Sequence, residues 1–263
     1  MIDFDYMTAV ELAKTHKRLY HYTTLESLNY IINNKSLKLS RIDQLNDSIE
    51  NANILDLWKN KVYVSCFTYR DCESYFFWKV YAKGSSDGVR ISFDRDLLLN
   101  LPIHPDGKCI EPSLNNYEKN NRNKDFTYNI NSTSWSIFDY SCVDIMYVPR
   151  GTELKNGDNF QGRIKYSEWD MEFETRLRVA IRPNRSEYED KLDKDRNFIR
   201  IEPHDKCVFA KLSEECLNSM IITLSPFAND DLCKKVNNLL IRNGLNDKVR
   251  IMHSVLSDEI RKE

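Results

Sequence analysis

The residues best placed to do chemistry are His21, the pair Glu172 and Glu174, and the aromatic residues Trp78 and Tyr81. His21 stands in the run Leu19-Tyr20-His21-Tyr22-Thr23-Thr24, where a short strand-like stretch meets a well-signalled helix. A polar ring at such a junction can hydrogen-bond a ribose or a phosphate while the backbone around it stays fixed; the alternative is a buried histidine satisfied by backbone. Glu172 and Glu174 are two apart, which on a strand puts both carboxylates on one face. Paired carboxylates can drive one pKa up and divide proton transfer from charge stabilisation. The competing reading is a solvated strand face with Glu and Arg paired across strands. Trp78 and Tyr81 sit in a strongly aromatic helical stretch that can offer a flat surface to a base, or can simply be core.

Other chemistries find little support. His104, His204 and His253 have no metal-ligand spacing to one another, so no metal is expected. No Ser/His/Asp arrangement stands out, and Cys66 and Cys72 flank a loop without a local base to activate either thiol. A metal-dependent nuclease would want clustered Asp, Glu and His, which the chain lacks.

Composition narrows the class further. The 263 residues are enough for one large domain or two small ones, and 41% hydrophobic with 11% aromatic content supports a real core. Lys and Arg total 38 against 40 Asp and Glu, a net charge of -2, so no global pull toward nucleic acid is expected. The seven cysteines are odd in number and none has CxxC spacing, which fits reduced thiols rather than a zinc site or a disulfide framework. Met1-Ile2-Asp3-Phe4-Asp5 is acidic and no apolar run approaches the roughly 20 residues that span a bilayer. A soluble, cytoplasmic protein without a membrane partner is the expectation. Neither a P-loop nor a GxGxxG occurs, so a bound nucleotide is held by some other device.

The elements that must position these residues are readable in outline. Thr23 and Glu26 have capping-box spacing, and Leu25, Leu28, Ile31 and Ile32 form the stripe of the helix that follows. Asn33-Asn34-Lys35 ends it. Leu37 and Leu39 alternate in a short strand, and Arg41 to Glu50 reads as a loop turning at Asn46-Asp47. Val62 to Phe67 looks like a buried strand. Asp71 can cap a helix running to Lys83, with Gly84 closing it. Val89, Ile91 and Phe93 predict another strand. Residues 100–142 are poorly patterned and read as an inserted loop, with an Asn- and Lys-rich stretch at 115–131. Strand character resumes over Val143 to Val148. Trp169 to Ile181 has the cleanest alternation: Met171, Phe173, Leu177, Val179 and Ile181 on one face, and Glu172, Glu174, Arg176 and Arg178 on the other. A charged loop, Arg185 to Arg196, follows. The C-terminal part predicts strand (Met220–Leu224), helix (Leu232, Val236, Leu239, Leu240, closed by Gly244) and strand (Val249–Met252). The whole predicts a single α+β domain over 1–263.

In their order, these segments resemble ADP-ribosyltransferases. Leu19-Tyr20-His21-Tyr22-Thr23-Thr24, the helix after it and Leu37-Lys38-Leu39-Ser40 resemble the opening of that fold, in which a strand carrying His leads into a helix. More closely, the chain resembles a bacterial domain family found near anti-phage and abortive-infection genes. The matching positions are His21-Tyr22, Asn46-Asp47 with Glu50, Trp78 with Tyr81-Ala82, Gly88-Val89, and Trp169 with Glu172-x-Glu174-x-Arg176. They extend from about Leu19 to Ser254. DNA-modifying toxins of this kind also open with His-x-Thr, here His21-Tyr22-Thr23.

The resemblance implies an ADP-ribosyltransferase-like split mixed β-sheet core with flanking helices and a C-terminal strand–helix–strand. It implies NAD as substrate, with His21 on the ribose next to nicotinamide and Tyr81, Trp78 or Tyr22 as the stacking ring. Thr23 and Arg176 also contact NAD in this reading. Glu174, with Glu172 as alternative, would support the oxocarbenium-like centre. The acceptor would be a nucleic acid (RNA or DNA) or a protein, and the chain a toxin or anti-phage effector. One form of it is an mRNA-modifying toxin held by an antitoxin with a chaperone. A second reading on the same fold is a non-catalytic sensor or binding module. The two separate on geometry: catalysis needs His21 and Glu174 on one cleft.

Overall fold

The computed structural model describes residues 15–45, 61–99, 101, 103–104, 127–130, 133–152, 162–183 and 206–257. The N-terminal run Met1–Asp5, Asn46-Asp47 with Glu50, Cys109, most of the Asn-rich stretch, His204 and the loop 185–196 lie outside the described residues. Thirteen strands are described: β1 (Arg18–Thr24), β2 (Ser36–Arg41), β3 (Val62–Thr68), β4 (Gly88–Asp94), β5 (Ile103–His104), β6 (Thr127–Ile130), β7 (Thr133–Asp144), β8 (Met146–Val148), β9 (Ile164–Tyr166), β10 (Glu174–Pro183), β11 (Cys207–Lys211), β12 (Ile221–Leu224) and β13 (Arg250–His253). Helices occupy Leu25–Asn34, Tyr75–Val80, Arg95–Leu98, Glu214–Asn218 and Asp230–Arg242. The architecture is α+β, with a central, mostly antiparallel sheet.

Among the described residues, eleven strands form one sheet along the order β13-β12-β4-β1-β3-β10-β7-β6, with β2, β11 and β5 branching from β3. The sheet is split. β1 pairs β4 over seven positions, but it pairs β3 at Tyr20↔Thr68 alone. Two half-sheets therefore meet at one rung and part on either side of it. The C-terminal strand–helix–strand is as expected: β12 and β13 are parallel and the helix Asp230–Arg242 connects them.

The alternation along β10 locates the core. Leu177, Val179 and Ile181 are fully buried in the main cluster with Leu19, Phe67, Ile91 and Phe93. Burying each such side chain contributes about 1.5–3 kcal/mol. The opposite face carries Glu174, Arg176 and Arg178, and it is not wet: all three are buried. Apolar burial elsewhere holds these charges out of bulk water.

Several local expectations need correction. The helix Leu25–Asn34 buries Leu28, Ile31 and Ile32 as its stripe predicts, but its cap is Thr24, whose side chain accepts from the Ser27 N–H. Thr23 is the residue before it, buried in β1 opposite Val89. Two threonines in a row offer the same cap chemistry, and the strand's length decides between them. The aromatic helix is shorter than expected and is capped by Ser74 rather than Asp71. The stretch 100–142 is not all loop, since β5, β6 and most of β7 fall inside it, and β7 pairs β10 along most of its length. Its polar residues conceal a central strand from a periodicity reading. Finally, the extended reading of 169–181 fails at its start: Ser167–Glu172 is a 3-10 helix, and Phe173 is left-handed at φ 45°.

Candidate functional site

The split between β1 and β3 opens onto a cleft of about 270 Å³. Strand pairing supplies its floor. Tyr20, Thr68 and Glu174 stand in one row across β1, β3 and β10, and Cys66 lies opposite Arg176 one row on. All five line the cleft. Directly opposed residues of an antiparallel pair share a face, so this placement follows from register.

His21 enters the cleft from the parted edge of β1. Its Nδ1 lies 2.9 Å from the main-chain carbonyl of Cys66. A carbonyl can only accept, so Nδ1 carries the proton. Burial lowers the His21 pKa, against a smaller opposing effect of that hydrogen bond. The ring is therefore neutral at physiological pH, and its Nε2 is an acceptor. An acceptor nitrogen suits a sugar hydroxyl and repels a phosphate. Of the two ligands open to His21 from sequence, the geometry favours the hydroxyl.

Glu172 and Glu174 do come together, for a reason other than alternation. They flank the left-handed Phe173, where the chain turns from the 3-10 helix into β10. Both carboxylates meet the Lys165 ammonium of β9, at 2.6 Å for Glu172 and 2.7 Å for Glu174. Arg176 Nε adds a contact of 2.6 Å to Glu174. Burial pushes the Glu174 pKa up, but Arg176 and Lys165 outweigh it and hold the carboxyl at about 2. Glu172 goes the other way. Burial raises its pKa, Lys165 pulls it back, Glu174 adds to the rise, and the net effect is upward. One carboxylate is thus a permanent charge, and its neighbour is the easier of the two to protonate.

The rest of the lining is largely aromatic: Tyr20, Tyr22, Phe67, Phe77, Tyr81 and Trp169. Tyr81 is exposed at the end of the helix Tyr75–Val80, and its hydroxyl donates to Glu172 Oε1. Burial and that carboxylate push its pKa far above the ordinary tyrosine value, so it remains a donor. Tyr22 lines the cleft and accepts from the Ser74 N–H at 3.1 Å.

Trp78 and Thr23 are placed elsewhere. Trp78 is fully buried against Tyr22, Phe77 and Ala82 and does not line the cleft. Its indole N–H donates to Glu73 at 2.9 Å, and Glu73 also accepts from Ser254 and from the Val255 N–H. Trp78 thus anchors the segment after β13 rather than offering a free ring. Thr23 does not line the cleft either.

Lys165 is the residue sequence reasoning missed. The available signal was the run Arg163-Ile164-Lys165-Tyr166, a strand-like alternation that buries its charged side chains. Cys66 is a second case. Burial first, and then the charge of Glu174, drive its thiol pKa well up, so it stays protonated and serves as a neighbour of Glu174 rather than a nucleophile. Among the described residues no group of His, Cys, Asp and Glu could hold a metal ion, and no helix is long and apolar enough to cross a membrane.

No protein-family model matches the chain, and no curated protein matches it. Among solved structures it is similar to Thermus sp. 2.9 DarT in complex with NAD+, at 10% identity and a TM-score of 0.38, over 94% of this chain and 98% of that one. Likeness at that level says nothing about activity.

Proposed function

We propose that the chain is a single-domain NAD-dependent ADP-ribosyltransferase. The observation that carries this reading is the convergence of His21, Glu172 and Glu174, from three separate elements, on one aromatic-lined cleft. In this reaction the N-glycosidic bond of NAD breaks, nicotinamide leaves with the bonding electrons, and the ribose carbon becomes electron-poor. An acceptor nucleophile then bonds to that carbon and loses its proton. Each residue has a part that its chemistry allows. His21 Nε2 accepts from a ribose hydroxyl. Glu174, charged at any working pH, faces the positive charge that develops on the sugar, where a fixed charge counts most in the transition state. Glu172 is the more readily protonated partner. Tyr81 is the best candidate to stack on nicotinamide, being exposed at the cleft, with Tyr22 behind it. Arg176 acts through Glu174, and Thr23 and Trp78 have supporting roles.

The finer reading rests on the family resemblance: a toxin or anti-phage effector in the cytoplasm, acting on a nucleic acid or a protein, and held by an antitoxin with a chaperone. The test is purified protein with labelled NAD and a panel of RNA, DNA and lysate proteins, alongside Glu174→Gln. Label transfer and nicotinamide release that vanish in Glu174→Gln support the proposal. No transfer, no release and unchanged toxicity of Glu174→Gln in cells would sink it.

One observation favours the non-catalytic alternative: Glu174 is already paired with two cations, Lys165 and Arg176. A binding module would retain NAD in equilibrium dialysis without releasing nicotinamide over hours.

A further inference from the structure

Lys165 is the side chain that joins the two candidate acids. It projects from β9, a three-residue strand that pairs only with β8 among the described residues and stands apart from the main sheet. Glu172 comes from the 3-10 helix and Glu174 from β10, with the left-handed Phe173 between them. Two carboxylates brought this close in a buried site repel each other. Their shared neighbour is the Lys165 ammonium, itself buried, at 2.6 and 2.7 Å.

We propose that Lys165 is a positioning residue: its ammonium holds the Glu172 and Glu174 carboxylates side by side at the cleft, so that both face one bound ligand. The other groups around the pair come from several elements, two of them from the pair's own: Arg176 from β10 and Trp169 from the 3-10 helix. Arg176 of β10 binds Glu174 and the Gly162 carbonyl. Cys66 of β3 touches Glu174. The Tyr147 hydroxyl of β8 accepts from the Glu174 main-chain N–H at 3.0 Å. Tyr81 holds the far oxygen of Glu172 from the cleft mouth. The Trp169 ring lies 5.4 Å from the Lys165 ammonium and covers it. Of these groups, Tyr81 is uncharged and pulls Glu172 toward the mouth. With Lys165 neutralised, Glu172 swings outward with Tyr81, and Glu174 remains with Arg176.

The effect on turnover rests on the transferase reading, whereas the holding of the carboxylates does not. The experiment therefore has two arms, run on the wild type, Lys165→Met and Lys165→Arg. The first titrates the Glu172 and Glu174 side-chain carboxyls by carbon-13 NMR in the ligand-free protein. In Lys165→Met the Glu172 midpoint moves up by about one pH unit or more, the scale of a lost close charge, and Lys165→Arg restores most of it. The second arm measures NAD turnover: kcat falls about tenfold or more in Lys165→Met while KM for NAD stays within about threefold, because the lost interaction is made to the acids and not to the ligand.

Unchanged carboxyl titrations in a folded Lys165→Met protein overturn the proposal. So does a raised KM at unchanged kcat, which would make Lys165 a ligand contact. If Lys165→Met does not fold, Lys165→Gln, uncharged but polar, carries the same titration. If the wild type releases no nicotinamide, the transferase reading fails, and the titration arm still decides the role of Lys165.

Discussion

His21 donates from Nδ1 to the main-chain carbonyl of Cys66 across the gap where β1 and β3 part. The contact does two things at once. It occupies a carbonyl beside the point where strand pairing stops, and it fixes the tautomer that leaves Nε2 as an acceptor toward the cleft.

A pH dependence follows. Burial lowers the folded-state pKa of His21 below its ordinary 6.5. As pH falls, the unfolded chain takes up the proton first. The stability contributed here is therefore complete above about 6.5 and is lost as pH falls from there toward the folded-state pKa. Urea unfolding at pH 7.5 and 5.5 should show a larger loss for the wild type than for His21→Gln. Equal losses would place the titrating group elsewhere.

Glu174 acts in a lower window. Its carboxyl is held at about 2 against an ordinary 4.5, so its contribution is present above 4.5 and is lost as pH falls toward 2. Glu174→Gln should unfold less steeply across that window than the wild type. At pH 7, Glu174→Ala leaves Lys165 and Arg176 with one carboxylate fewer, at a cost of about 3–5 kcal/mol. Denaturant midpoints at about pH 7 and about pH 3 check both statements.

Trp78 and Tyr81 should separate cleanly in kinetics. Trp78→Phe empties part of a packed site and leaves Glu73 without its indole donor, so stability falls by about 1–3 kcal/mol while KM for NAD holds. Tyr81→Ala removes a ring from the cleft and should raise KM for NAD or lower kcat with little loss of stability. A KM defect in Trp78→Phe equal to that of Tyr81→Ala would contradict this division.

Gly162 is a backbone test of the same site. It has φ +70°, and an added Cβ would run into Ile42 Cδ1. Its carbonyl accepts from Arg176 Nη1 at 3.0 Å. Gly162→Ala should destabilise by about 1–3 kcal/mol through the left-handed conformation and the clash together. If the shift reaches Arg176, turnover falls as well. Thermal unfolding with a parallel activity assay measures each effect.

Capping offers a simple control. Thr24→Ala should cost about 0.5–2 kcal/mol by leaving the Ser27 N–H without its cap. Thr23→Ser should cost less, since Thr23 caps nothing. Midpoints from circular dichroism distinguish the two positions.

Local patterns were legible in the chain itself. The stripe Leu28, Ile31 and Ile32, the alternation Leu177, Val179 and Ile181, and the C-terminal strand–helix–strand follow from periods that burial imposes on neighbouring residues. His21 and the two glutamates were legible as chemistry, because few residue types can do this work and their settings are distinctive. What was not legible came from contacts between distant positions. No period reveals that β1 and β3 meet at one rung, or that β7 hides in a polar stretch and pairs β10.

The same boundary runs through the candidate site. Sequence alone determined that a histidine and a pair of carboxylates are present and that a cap follows the histidine. Only the tertiary structure decided that Lys165 lies between the carboxylates, that Phe173 turns left-handed to bring them together, and that Trp78 faces Glu73 rather than the cleft. The physical reason is range. Propensity and periodicity act over a few residues, which is enough to put Arg176 on the same strand face as Glu174, whereas the lysine of β9 and the tyrosine that also set the charge state of Glu172 and Glu174 come within hydrogen-bonding distance only in the folded sheet.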